Sequence, residues 1–152
     1  PEELSGSLLD MGCGYGVIGV TLGRRYPGLS VVMSDVNERA VELSRRNAQR
    51  NGVSARVMQS DGYADVPFQR MDWIVQNPPI RAGKSVIYAM FAEGARRLEP
   101  SGELWLVIRK QQGAESAVRY LKTLFGRVGA VSKKGGFWVL RCTQPAERPD
   151  EE

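Results

Sequence analysis

Along the chain, short apolar runs alternate with stretches in which apolar positions recur every three or four residues. Leu8 and Leu9, ending at Asp10, predict a buried strand that runs into a glycine-rich turn; Val17 to Tyr26 predict a helix stopped by Pro27-Gly28. Leu29 to Ser34 repeat the strand signal and close at Asp35. Asn37 has the side chain of a helix N-cap, Glu38 to Arg50 the periodicity of a helix, and Asn51-Gly52 a C-terminal stop. Ala55 to Gln59 and Met71 to Gln76 predict the third and fourth strands, the latter running into Asn77-Pro78-Pro79. Ile87, Met90, Phe91, Gly94 and Leu98 share one helical face, which ends at Pro100-Ser101-Gly102. Leu104 to Ile108 is a continuous apolar strand, as expected where helices cover both faces of a sheet. Ala117, Leu121, Leu124 and Phe125 make another helical stripe. Val128 to Ser132 and Phe137 to Cys142 then predict two strands around the hairpin turn Lys133-Lys134-Gly135-Gly136.

Strand-helix alternation closing on a hairpin predicts an α/β fold: a doubly wound, mostly parallel, seven-stranded Rossmann-like sheet with one antiparallel strand near the C-terminus. There is no internal repeat and no interior linker. Residues 1–144 read as one domain and 145–152 as a disordered acidic tail.

Composition narrows the chemistry. The 152 residues include no His, which excludes imidazole-based catalysis and most zinc sites. Cys13 and Cys142 are too few and too far apart for a metal framework or a disulfide scaffold, so we expect no metal and a reducing, cytoplasmic setting. No apolar run approaches the roughly 20 residues of a membrane span, and no leader pattern opens the chain. The net charge is +4, but residues 1–3 and 145–152 hold six acids and one base, leaving +9 on the body. Sixteen Arg against five Lys suit a phosphate-rich partner, because the guanidinium fork matches phosphate oxygens; an ordinary solvated surface would read the same.

In open α/β sheets ligands bind at the carboxyl ends of the strands, and the first strand-helix turn is the usual place. Here it reads Asp10-Met11-Gly12-Cys13-Gly14-Tyr15-Gly16, with Val17 where a dinucleotide fingerprint needs its third glycine. Asp10 beside that turn suits a cationic group such as an ammonium or a sulfonium. Asp35, 19 residues after Gly16, can accept both hydroxyls of a ribose, and Asp61 of Ser60-Asp61-Gly62 can accept from an adenine amino group. Singly, each acid reads as a turn or cap residue. Three at successive strand ends around one glycine-rich turn describe a site for an adenosine with a positively charged amino-acid tail.

The segment Leu8 to Gly16 resembles the first motif of class I S-adenosylmethionine-dependent methyltransferases. That resemblance implies S-adenosylmethionine as cofactor. The turn Gly12, Cys13, Gly14, Tyr15, Gly16 would hold its methionine part, Asp35 with Val36 and Asn37 the ribose, and Asp61 with Gly62 the adenine, with Asn77 also touching the cofactor. Asn77-Pro78-Pro79-Ile80 is similar to the motif of methyltransferases that act on planar exocyclic nitrogens: adenine N6, guanine N2, cytosine N4 or a release-factor glutamine. Such a nitrogen is a poor nucleophile, and acceptors on Asn77 and Pro78 would turn its lone pair toward the methyl group without a strong base. In many of these enzymes the fourth motif position is aromatic; here it is Ile80, and Tyr15 or Tyr88 would have to supply the stacking.

Asn77 to Lys84, with Arg109 to Ala114 and Lys133 to Phe137, resembles the small-subunit ribosomal RNA guanine-N2 methyltransferases of the RsmC type in a short single-domain form. It implies ribosomal RNA or the small ribosomal subunit as partner, with Arg81 and Lys84 at the acceptor pocket and Lys110, Lys133 and Lys134 extending a basic rim. Adenine N6 of RNA or DNA and a release-factor glutamine stay open as alternative acceptors. Relatives of this kind carry a segment ahead of strand one that packs over the sheet; this chain begins only a few residues before that strand, so such a segment is expected to be missing.

Overall fold

A computed structural model describes residues 3–78 and 82–147. Seven strands form one sheet in the order β3-β2-β1-β4-β5-β7-β6: β1 (Gly6–Met11), β2 (Leu29–Asp35), β3 (Ala55–Gln59), β4 (Met71–Gln76), β5 (Leu98–Arg109), β6 (Phe125–Lys134) and β7 (Phe137–Pro145). All neighbours pair in parallel except β7, which is antiparallel to both β5 and β6. The turn that reverses the chain before β7 is built on Gly135 and Gly136, with φ of 59° and 78°. Two consecutive left-handed residues are what a two-residue hairpin of matching twist requires.

Helices α1 (Val17–Arg25), α2 (Glu38–Arg50), α3 (Lys84–Arg96) and α4 (Ala114–Leu124) cover the sheet in two layers. Alternation along β1 shows the division. Leu8 is buried with Val20 of α1, Val31 and Met33 of β2 and Val41 of α2; Leu9 is buried on the opposite side with Phe91 of α3, Leu104, and Leu121 of α4. No helix among the described residues is long and apolar enough to cross a membrane.

Two elements depart from the periodicity reading. Leu98 and Phe125 extend helical stripes in the sequence, yet each begins a strand, β5 and β6 respectively. Both are buried in the same core as the helices before them, so an apolar side chain one or two residues past a helix end keeps the stripe while the backbone changes state. Pro100-Ser101-Gly102 lies inside β5: Met71 pairs with Leu98 but Trp73 with Glu103, so the extra residues are taken up as a bulge against β4. At the other end, Pro145 pairs with Phe125, and Ala146 N–H donates to the Leu124 carbonyl at 2.8 Å. Residues 148–152 of the expected tail lie outside the described residues.

The chain winds from β1 outward to β3, then returns to place β4 on the other side of β1. Loops leaving β1 and β4 therefore separate to opposite faces, which opens a crevice at their carboxyl ends. Gly12 and Asn77, the first residues past these strands, face each other there, and Asn77 N–H donates to the Met11 carbonyl at 3.0 Å.

Candidate active site

The turn after β1 is held down by its neighbour. Gly12 and Cys13 N–H both donate to the Ser34 carbonyl at 2.9 Å, and Gly14 N–H donates to Asp35 Oδ2 at 2.9 Å. Gly12 and Gly14 take φ of 78° and 57°, where a side chain is strained. A Cβ on Gly12 would come within 2.5 Å of the Asn77 carbonyl oxygen, whereas one on Gly14 would meet nothing within 4 Å. The first glycine lets the two strand ends touch; the second leaves open space above the turn.

That space is a cleft of about 830 Å³. Of the residues expected to hold the cofactor, Gly12, Gly14, Asp35, Val36, Asp61, Gly62 and Asn77 line it. Asp35 also braces the turn: Oδ2 holds Gly14 and Oδ1 accepts from Asn37 N–H at 2.9 Å. A carboxylate has about four lone-pair sites, so both oxygens keep capacity for a ligand. Ser34 lines the same cleft with a buried hydroxyl that has no hydrogen-bond partner.

The other expected contacts sit elsewhere. Asp10 is 1% exposed beneath the turn, and its Oδ2 accepts from Gly19 N–H in α1 at 3.0 Å. Burial, opposed by that hydrogen bond and reinforced by the charge of Asp35, pushes its carboxyl up to about 6. Cys13 points inward, with Sγ 3.4 Å from Ser44 Oγ, and burial pushes its thiol up to about 11. Gly16 sits at the start of α1 against Ser44. Asn37 caps α2, its Oδ1 accepting from Arg39 and Ala40 N–H at 2.9 and 3.2 Å. Tyr15 is exposed and opens onto a separate depression between α1 and α2, beside Arg24 and Asn51.

A second pocket, about 380 Å³, lies between α3, the end of β5 and α4. Asn77 and Pro78 line it too, so one dipeptide forms the wall between the two cavities. Lys84 lines this pocket, with its Nζ 5.3 Å from the Tyr88 ring centre. Lys110, Lys133 and Lys134 are not among its lining residues: Lys110 N–H donates to the Gly136 carbonyl at 2.8 Å, and Lys133 Nζ lies 4.0 Å over the Trp138 ring. Pro79, Ile80 and Arg81 fall outside the described residues.

Sequence reasoning missed the polar network under the cleft. Gln76 Nε2 donates to the Tyr63 hydroxyl and, at 2.9 Å, to the Met90 carbonyl, tying β4 to α3 and to the loop after β3. Arg97, 8% exposed, donates to the Val66 carbonyl at 2.8 Å, to the Tyr63 carbonyl at 3.3 Å and to Glu93 at 2.7 Å. Burial raises the Glu93 carboxyl, but hydrogen bonds and charge from Arg96 and Arg97 outweigh it and hold the group below its ordinary range. Burial likewise pushes the Tyr63 hydroxyl up, past the partial relief from Gln76 and Arg97. Tyr63, Met90 and Glu93 all line the cleft. A glutamine closing the otherwise apolar run Trp73-Ile74-Val75 was the available signal.

A doubly wound sheet, a glycine turn at its switch point and acids on the next two strand ends define a nucleoside-cofactor transferase of the Rossmann-like methyltransferase class. The family model of the methyltransferase small domain matches residues 1–141, and the chain belongs to that family, whose cofactor is S-adenosylmethionine. The chain is 48% identical to YbxB, an uncharacterised protein of Bacillus subtilis, over 92% of its own length and 71% of that protein's. It is 40% identical to ribosomal RNA small subunit methyltransferase C of Aeromonas hydrophila, over 90% of its own length. It spans only 40% of the length of that relative. Among solved structures, the T. thermophilus 16S rRNA N2 G1207 methyltransferase (RsmC), in complex with AdoMet and guanosine, matches with a TM-score of 0.81 at 26% identity, over 93% of this chain and 38% of that one.

The cleft fits this cofactor on its own features: an open glycine floor, an unpartnered buried hydroxyl on Ser34, and acceptor carboxylates on Asp35 and Asp61.

Proposed function

We propose that this chain methylates an exocyclic amino group of RNA, guanine N2 of small-subunit ribosomal RNA, from the 830 Å³ cleft into the 380 Å³ pocket. The observation that carries the reading is the shared wall: Asn77 and Pro78 line both cavities. In the donor cleft the turn from Gly12 to Gly14 would carry the methionine part, Asp35 the ribose, and Asp61 with Gly62 the adenine.

When bound, S-adenosylmethionine supplies a methyl group already activated on a positively charged sulfur. What remains for the protein is orientation, an effect that reaches about 7–11 kcal/mol in favourable systems. The amino nitrogen of guanine has its lone pair delocalised into the ring. Asn77 Oδ1 and the Pro78 carbonyl, each accepting one N–H, draw the nitrogen out of planarity, which localises that lone pair and points it toward the donor cleft. Proline lacks an N–H, so the backbone at Pro78 presents an acceptor and no donor to the substrate's amino group. After transfer the nitrogen holds one proton too many, and it passes to solvent; no histidine is present to take it.

Guanine N2 is favoured over other planar amines by the similarity to ribosomal RNA methyltransferase C and to a structure holding guanosine. The +9 of residues 4–144 favours RNA over a protein amide. The test is methyl transfer from labelled S-adenosylmethionine to small ribosomal subunits lacking native modification, with release factor in parallel and Asn77→Ala as control. Label recovered as N2-methylguanosine, and lost in Asn77→Ala even at saturating S-adenosylmethionine, is expected. Label on adenosine or glutamine would overturn the acceptor, and an active Asn77→Ala the role of Asn77.

A further inference from the structure

We propose that Phe137, braced by Arg109, is the aromatic plate on which the planar acceptor stacks; this rests on the reading of the 380 Å³ pocket as a nucleobase site. A base taken out of its stack loses two ring contacts and needs apolar or aromatic surface to replace them. Among the described residues, two rings line the pocket, Tyr88 and Phe137. Tyr88 is engaged: Tyr120 stacks on it at 4.3 Å with an interplanar angle of 9°, and the Lys84 ammonium lies 5.3 Å from its centre. Tyr15 belongs to a different depression altogether.

Phe137 is 40% exposed, an unusual state for a phenylalanine at the start of a strand whose later residues Leu140 and Cys142 are fully buried. The Arg109 guanidinium lies 4.8 Å from its ring centre. The two residues are direct cross-strand partners in the β5–β7 ladder, so the sheet sets their contact. The hairpin that presents Phe137 is pinned as well, since Lys110 N–H donates to the Gly136 carbonyl at 2.8 Å. A ring fixed by sheet register, covered by a planar cation that lines the same pocket with it, is a preorganised stacking surface. Arg109 adds a positive charge where the phosphates of the target nucleotide must pass.

The experiment compares wild type, Phe137→Leu, Phe137→Tyr and Arg109→Gln in methyl transfer to undermodified small subunits, with calorimetric binding of S-adenosylmethionine alongside. Leucine keeps apolar bulk but removes the ring; tyrosine keeps the ring. Phe137→Leu is expected to raise KM for the subunit about tenfold, within the range of base stacking, with kcat changed far less and S-adenosylmethionine affinity unchanged. Phe137→Tyr should stay within about twofold of wild type, and Arg109→Gln, at an exposed position, should raise KM about threefold. A Phe137→Leu enzyme with wild-type KM overturns the plate, as does a Phe137→Tyr enzyme as impaired as Phe137→Leu. An unchanged KM in Arg109→Gln overturns the brace, and settles it even where Phe137→Leu fails to fold. Wild type inactive on every RNA but active on a glutamine amide overturns the underlying nucleobase reading, an outcome distinct from an active wild type indifferent to Phe137.

Discussion

Gly12→Ala adds a single methyl group at the contact between the two strand ends that make the site. Its Cβ would lie 2.5 Å from the Asn77 carbonyl oxygen, and ordinary contact begins at 3.4 Å, so the turn and the Asn77 segment must part by about 0.9 Å. Two penalties combine. A side chain in left-handed backbone, here φ 78°, costs about 1–2 kcal/mol. Forcing a methyl into backbone that cannot rotate away costs about 1–3 kcal/mol more. The sum, about 2–5 kcal/mol, lowers Tm by about 4–20 °C in a domain of this size and leaves it folded. Function should suffer more than stability, because a displacement near 1 Å between donor and acceptor costs about a hundredfold in rate. Gly14→Ala is the internal control: its φ of 57° carries the same backbone strain, but its Cβ meets nothing within 4 Å. The assays are thermal melts, calorimetric titration with S-adenosylmethionine and labelled transfer for both variants. If Gly12→Ala melts with Gly14→Ala and keeps wild-type kcat/KM, the close approach at Asn77 is not what sets the geometry.

Asp10 should make stability depend on pH. Its carboxyl is raised from 3.8 to about 6, so the native state keeps a proton that the unfolded chain has already released. Its contribution is full below about pH 4, is lost as pH rises through about 6, and is flat above; two units at about 1.36 kcal/mol each give about 3 kcal/mol. Asp10→Asn cannot titrate but keeps an oxygen for Gly19 N–H, so its Tm relative to wild type should climb between pH 4 and pH 6.5 and then level. A difference independent of pH would refute the assignment. Arg97→Ala should cost about 3–5 kcal/mol in chemical denaturation, because it strips a buried cation from Glu93 and from the carbonyls of Val66 and Tyr63. Since Glu93 and Tyr63 line the donor cleft, affinity for S-adenosylmethionine should fall with it; an unchanged Kd would show that the network is structural only.

The elements were legible because their signals are local. Alternating apolar runs, Asn37 as a cap and Gly135-Gly136 as a hairpin turn depend on neighbours within a few residues, and the sheet shows each of them. Two features of the site were also local: glycines that tolerate left-handed backbone, and acids at successive strand ends that a doubly wound topology must bring to one edge. Where local signals failed, the chain had changed state without changing pattern: Leu98 and Phe125 continue helical stripes and yet begin strands, because an apolar side chain serves the same core from either backbone.

The sequence by itself determined the fold class, the glycine-rich turn after the first strand and the segment beginning at Asn77, since each is written in contiguous residues. Tertiary structure alone decided how each acid is used. Asp10 and Asp35 read alike along the chain, yet one lies beneath the turn against α1 and the other faces the cleft, because the β1–β2 register sets Asp10 level with Met33, two residues short of Asp35. It alone joined Gln76, Tyr63, Glu93 and Arg97 into one network, and it alone set Arg109 opposite Phe137. Those contacts join residues from separate elements, and only the packing of the folded sheet brings them together.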